Sequence, residues 1–258
     1  MDYFEVDALN HSLLKQFKYS PRHYLAAKTT KSVQTPAMEF GTLVHGILLE
    51  DFQIEKNIII MPDINKKTKV YKEWLKTIDN TKLIVSQTDY NIAKRMVNNL
   101  LAKKSFQKLW EQRIATEKAY YYNKDGVKCK ALIDIELNSG YGIIDLKTSA
   151  NIDKRKFFNS IIDYSYDTQA AWYQELTGRT AEPYYIVAME KSEPYDSIVY
   201  LIPPELIEAG HRLNQERFEL YKYCTKTGDW FGYEDKIHQL EIPSWCLKNN
   251  LILGDNVL

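Results

Sequence analysis

Two short apolar runs, Val127 to Leu137 and Tyr141 to Lys147, constrain this chain more than any other part of it. Each is rich in β-branched and aromatic residues and bounded by turn formers, Lys124-Asp125-Gly126 before the first and Asn138-Ser139-Gly140 between the two. Runs punctuated in this way read as consecutive antiparallel strands. Tyr120 to Asn123 precedes them as the first arm of a hairpin. Side chains alternate faces along a strand, so Ile144 and Leu146 go to one side and Asp145 and Lys147 to the other. The returning strand can set Asp134 beside Asp145. Two carboxylates and an ammonium then converge on an otherwise apolar sheet.

The flanking sequence decides what covers that sheet. The N-terminal third reads as helical: Ser12 to Phe17, then Ser20-Pro21 as N-cap and first-turn proline of a segment reaching Ala27. Thr35-Pro36 repeats the start signal, and Phe40, Leu43, Val44, Ile47 and Leu48 follow at helical spacing to Glu50. Gly41 and Gly46 inside that helix suggest close packing against a neighbour. Ile58 to Met61 reads as a short strand, 65–76 as a lysine-rich mobile stretch, and Ser86 with Asp89 opens a helix to about Lys103. After Lys147, helices are expected at Asp153 to Ile162 and Asp167 to Leu176, and strands at Pro183 to Met189 and Ser197 to Ile202. Pro203-Pro204 opens a long amphipathic helix to about Tyr223, and Leu240 to Leu258 reads as irregular. No repeat and no Gly-, Pro- or Ser-rich linker interrupts the chain. The expected organisation is one α/β domain over residues 1–258, with a mainly helical part (1–112), an α/β core (113–226) and an irregular tail (227–258).

Buried carboxylates repel one another unless something positive lies between them. A hard divalent cation with oxygen ligands, such as magnesium, is the natural solution. Lys147 can then position or help deprotonate an attacking water and offset charge growing on a phosphate, with the cation as Lewis acid and template. An isolated Asp-x-Lys is ordinarily a surface ion pair. Three features set this one apart: the second Asp one hairpin upstream, the Ile-Ile-x-Leu backing, and the helix that follows. Overall charge is silent, with 34 basic and 34 acidic residues; a protein that simply coats DNA should be basic. Cys129, Cys224 and Cys246 are too sparse for a disulfide framework and form no zinc or iron–sulfur pattern. With no signal-like N-terminus and no apolar run of membrane-spanning length, a cytoplasmic protein without membrane contact is expected.

The Asp134 to Lys147 segment resembles the PD-(D/E)xK nuclease superfamily, with Asp134 as first acid and Asp145-x-Lys147 as the second half. Ile133 stands in place of the motif's proline, and the second acid is Asp rather than Glu. Gln169-Ala-Ala-Trp-Tyr173 is similar to the Gln-xxx-Tyr signature of the RecB-like branch, and its spacing of four puts both residues on one helix face. Gly41-Thr-Leu-Val-His45 resembles the helix that in this branch delivers an imidazole to the metal; read alone, His45 is a core histidine. Leu9-Asn-His-Ser12-Leu-Leu-Lys15, Ser20-Pro21-x-x-Tyr24 and the run from Thr35 through His45 to Leu49-Glu50 resemble the opening of RecE-type (exodeoxyribonuclease VIII-like) exonucleases. Leu132 stands where that family would carry a basic residue.

The resemblance implies a PD-(D/E)xK fold, a central mixed β-sheet flanked by helices with an N-terminal helical region. It implies a Mg2+-dependent exonuclease on double-stranded DNA ends, 5′ to 3′, leaving 3′ single-stranded tails for recombination or phage DNA processing. Two ions per site are implied, with Mn2+ able to substitute, held by His45, Asp134, Asp145 and the Leu146 carbonyl. Lys147 would serve the nucleophilic water, Gln169 and Tyr173 would orient lysine and phosphate, and Glu117 would lie near the scissile phosphate. Glu117 also reads as an exposed strand-end charge. Thr148, Ser149, Lys154, Arg155 and Lys156 would contact DNA, although a charge run such as the last three is commonly a solvated helix face. A ring-shaped homo-oligomer, a single-strand annealing partner and a phage or prophage origin in a bacterial host come from the resemblance alone. The rival readings are a Cas4- or RecB-like endonuclease on the same fold and a non-catalytic DNA- or protein-binding module.

Overall fold

A computed structural model describes residues 3–30, 34–50, 52, 55–79 and 81–242. The N-terminal helices start where polar caps meet apolar periodicity. In α1 (His11–Leu14), α2 (Pro21–Thr29) and α3 (Pro36–Leu49), the side chains of Asn10, Ser20 and Thr35 accept the backbone N–H three residues on. Pro21 and Pro36 occupy the first turn, where the missing N–H costs nothing. Lys15–Lys18 prolongs α1 as a 3-10 turn.

Beyond α3 the chain forms β1 (Ile58–Ile60), α4 (Lys69–Leu75), β2 (Leu83–Val85), α5 (Gln87–Leu101) and α6 (Lys104–Trp110). β1 and β2 pair in parallel as a small separate sheet. Two expectations change here. The lysine-rich stretch is not irregular throughout, because Thr68 caps α4 by accepting the Tyr71 N–H and Lys69 pairs with Glu73 one turn on. None of α4 is buried, so it carries no clear apolar stripe to betray it. β2 and α6 were not anticipated either, each being a single short element beside stronger signals.

The principal sheet follows: β3 (Arg113–Lys124), β4 (Val127–Leu137), β5 (Ile143–Ser149), then α7 (Lys154–Asp163), α8 (Tyr166–Thr177), β6 (Tyr184–Glu190), β7 (Ser197–Leu201) and α9 (Pro204–Thr227). Its order is β3-β4-β5-β6-β7. The β3–β4 hairpin closes through Asp125 and Gly126, both left-handed at φ 49° and 82°, as a type I′ turn requires. β5 and β6 are parallel, so the chain must cross over between them, which α7 and α8 accomplish; the other neighbours are antiparallel. One apolar layer packs Phe157, Trp172, Ile186 and Phe218 beneath α7–α9. The other packs Leu43, Leu100, Phe106, Ile144 and Leu146 beneath α3, α5 and α6. The fold is thus α/β, a central mixed sheet flanked by helices on both faces.

The ladder between β4 and β5 is short. Only Ile135↔Ile144 and Glu136↔Ile143 pair, whereas β5 and β6 stay in register from Ile143↔Tyr184 to Ser149↔Glu190. Where the pairing stops, the Asp134 carboxylate accepts the Leu146 N–H at 2.7 Å. The gap so opened is where the acidic residues meet. Among the described residues no helix is long and apolar enough to cross a membrane. α9 ends at Thr227 with left-handed Gly228 as its cap, and 228–242 forms neither helix nor strand; the remainder of the expected tail, with Cys246, lies outside the described residues.

Candidate active site

Register places three carboxylates in a row across three strands. Thr116↔Ile135 and Lys118↔Ile133 put Glu117 opposite Asp134, and Asp134 lies one step beyond Ile135↔Ile144, opposite Asp145. Glu117 is left-handed at φ 46° in the middle of a strand. For a residue with a Cβ that conformation costs roughly 1–2 kcal/mol. Strain of this kind persists only where the surroundings impose it, and functional sites are where it clusters.

His45 reaches the row from α3, on the opposite side of the sheet from α8. Its Nε2 lies 3.2 Å from the Leu146 carbonyl oxygen. With Nε2–H donating there, Nδ1 is left facing Glu117 Oε1 at 3.7 Å and Asp134 Oδ2 at 3.9 Å. One ligand atom from each of His45, Glu117 and Asp134 falls within 4.8 Å of the others. An imidazole nitrogen and two carboxylates around one small space form a donor set for a divalent cation. Asp145 sits beside this trio, its buried Oδ2 in an ion pair with Lys147 Nζ at 2.5 Å. The Lys147 ammonium in turn lies 4.8 Å from the centre of the Tyr166 ring.

Burial and charge compete at each group. Burial pushes the Asp145 carboxyl up to about 6, with Asp134 adding to the rise and Lys147 opposing it. Asp134 is likewise raised by burial, against the pull of His45 and Lys147. Burial alone would depress His45 and Lys147, but the carboxylates outweigh it and hold both above their usual values. Asp145 and Asp134 thus favour the protonated form of Lys147. The cluster holds protons and positive charge where a metal ion would relieve the same repulsion.

The residues singled out from sequence fall into three groups. Asp134, Asp145, Lys147, His45, Glu117 and the Leu146 peptide converge, although Glu117 stands with the trio that could hold a cation rather than apart from it. Gln169 and Tyr173 lie on α8 as the spacing implied, where Gln169 Nε2 donates to the Tyr173 hydroxyl at 2.9 Å. Burial, then Asp145 and Asp134, hold the Tyr173 phenol neutral. The aromatic ring against Lys147 is that of Tyr166, which sequence reasoning missed because a tyrosine outside the signature looks like packing. Thr148 and Ser149 end β5, and Lys154, Arg155 and Lys156 form the exposed first turn of α7, capped by Asp153. Of those three cations, Lys156 alone lines the groove beside Thr148 and Ser149.

Residues 10–241 match the family described as PDDEXK-like domain of unknown function (DUF3799). The fold is similar to the crystal structure of a candidate exonuclease from Eubacterium rectale, with a TM-score of 0.61 over 97% of this chain and 94% of that chain at 15% identity. A crystal structure of SSO0001 aligns with a TM-score of only 0.31, over 70% of this chain and 84% of that chain at 15% identity. No curated protein matches the chain.

Proposed function

The chain belongs to the family of PDDEXK-like domains, and on that premise we propose that it is a metal-dependent deoxyribonuclease acting on double-stranded DNA ends. The observation that carries this reading is the convergence of His45, Glu117 and Asp134 on one small space beside the buried Asp145–Lys147 pair. Such a set suits Mg2+ or Mn2+, with the Asp145 carboxylate beside it able to complete the oxygen ligands. A cation bound there would polarise the scissile phosphate and lower the pKa of a coordinated water.

The protein's own groups supply the rest. Lys147, held protonated, donates hydrogen bonds to water or phosphate and offsets charge growing on the phosphate oxygens. Tyr166 limits where that ammonium can swing. The neutral Tyr173 hydroxyl, taking a hydrogen bond from Gln169, keeps its own proton to donate near Asp145. We take the reaction to be exonucleolytic, 5′ to 3′, with 3′ tails as product; the resemblance to RecE-type enzymes supports this, as it does a ring-shaped oligomer and an annealing partner.

The test is digestion of linear duplex and covalently closed circular DNA with Mg2+. Linear DNA is expected to be degraded and circles spared, and Lys147→Ala should slow digestion by on the order of 10²–10³-fold. Efficient nicking of circles would overturn the exonuclease reading. Undiminished digestion by the variant would overturn the site.

A further inference from the structure

Beside Lys147 lies a hollow of about 500 Å³ that shares Tyr166 with the site and extends away from it. Thr148, the residue after Lys147, is on its wall, and so is Tyr166, whose ring meets the Lys147 ammonium. Met38 enters from the first turn of α3 and Tyr164 from the turn between α7 and α8; they are 49% and 60% exposed. Tyr164 and Tyr166 stand with ring centres 5.8 Å apart, on either side of a left-handed Ser165 at φ 64° that turns the chain sharply between them. Lys156 and Lys191 also line the hollow, and neither makes an ion pair among the described residues. Past Lys191 and Ala37 the hollow continues into a second one of about 330 Å³, lined by a third lysine, Lys66, that makes no ion pair among the described residues.

An exposed tyrosine ring, with a half-buried one next to it and lysines without an ion pair among the described residues, matches the chemistry of a single nucleic-acid strand, which offers a flat π-face and a phosphate at every residue. A volume of this size is in the range of small-molecule sites and admits one nucleobase. We propose that this hollow binds an unpaired base of the DNA strand flanking the scissile phosphate, stacked on Tyr164, with Lys156 and Lys191 on the adjoining phosphates and Lys66 further along the path. The proposal rests on the nuclease reading for its location, not for its chemistry. Strand separation would then occur at the site itself, because a base in this hollow is no longer paired with its complement.

The test uses the whole chain in EDTA, so that nothing is cleaved, and measures by fluorescence anisotropy the affinity for a labelled thymidine ten-mer and for an abasic strand of equal length. The wild-type protein should prefer the base-bearing strand roughly tenfold, as expected for one or two stacked bases. Tyr164→Ala should lose most of that preference while binding the abasic strand unchanged, and Tyr164→Phe should keep it. No preference in the wild type, or one that Tyr164→Ala leaves intact, overturns the proposal. A separate arm with Mg2+ and linear duplex keeps the two readings apart. Stacking without digestion upholds the hollow and sinks the nuclease; digestion without base preference does the reverse.

Discussion

Glu117 adopts a backbone conformation that only glycine takes up cheaply, yet the side chain there is one of three that could hold an ion. The two demands can be separated by substitution. Glu117→Gly should gain about 1 kcal/mol at the backbone, read from urea unfolding, while the rise in melting temperature on adding Mn2+ should shrink or vanish. A loss of stability with metal response intact would show that the conformation is not imposed for the ligand. His11 offers a second residue-scale test. Its Nε2–H donates to Thr168 Oγ1 at 2.9 Å, since that hydroxyl spends its own proton on the Ser165 carbonyl. Burial first, then Lys15, Arg217 and Lys147, depress its pKa well below 6.5. The folded protein thus leaves His11 neutral where the unfolded chain protonates it. Its contribution is complete above about pH 6.5 and is lost below it at up to about 1.4 kcal/mol per pH unit. Urea midpoints at pH 7.5 and 5.5 should fall less steeply for His11→Gln; identical slopes would refute the assignment.

Elements were legible where a cap, a breaker and a period agreed. Ser20-Pro21 and Thr35-Pro36 marked the starts of α2 and α3 to the residue, and Asp125-Gly126 marked the hairpin turn. The first half of β3 was not legible, because a half-exposed edge strand broken at Glu117 shows no alternation. Among the turn glycines, two left-handed positions should behave differently. At Gly142, φ 87°, a Cβ would stand 1.8 Å from the Pro183 carbonyl oxygen, in the junction that starts β5 and β6. At Gly126, φ 82°, nothing lies within 4 Å. Gly126→Ala should therefore cost only about 1 kcal/mol. Gly142→Ala must push backbone apart and should cost several times as much, or fail to fold, as thermal melts of the two side by side would reveal.

For the molecule as a whole, pattern in the sequence could nominate Asp134, Asp145 and Lys147, and the family resemblance His45, but not their distances. The candidate metal-binding trio depends on a register between β3 and β4, a strained residue at Glu117 and His45, more than seventy residues away in sequence, none of which periodicity encodes. The Tyr164–Tyr166 hollow was invisible for the same reason: its walls come from α3, β5 and the α7–α8 turn. The short β4–β5 ladder has a consequence at this scale. Two ladder pairs join the β3–β4 hairpin to β5, β6 and β7, where seven join β5 to β6. Asp134 and Asp145 face each other across that seam, with Glu117 one strand behind Asp134. Without an ion, their repulsion loads the joint; with one, the sheet acquires a rivet. Native-state hydrogen exchange should show the two portions opening as separate cooperative units in EDTA and as one in saturating Mg2+, with the Leu146 amide gaining the most protection. The metal would then be a part of the architecture, and chelation should soften the protein along a line that can be named in advance.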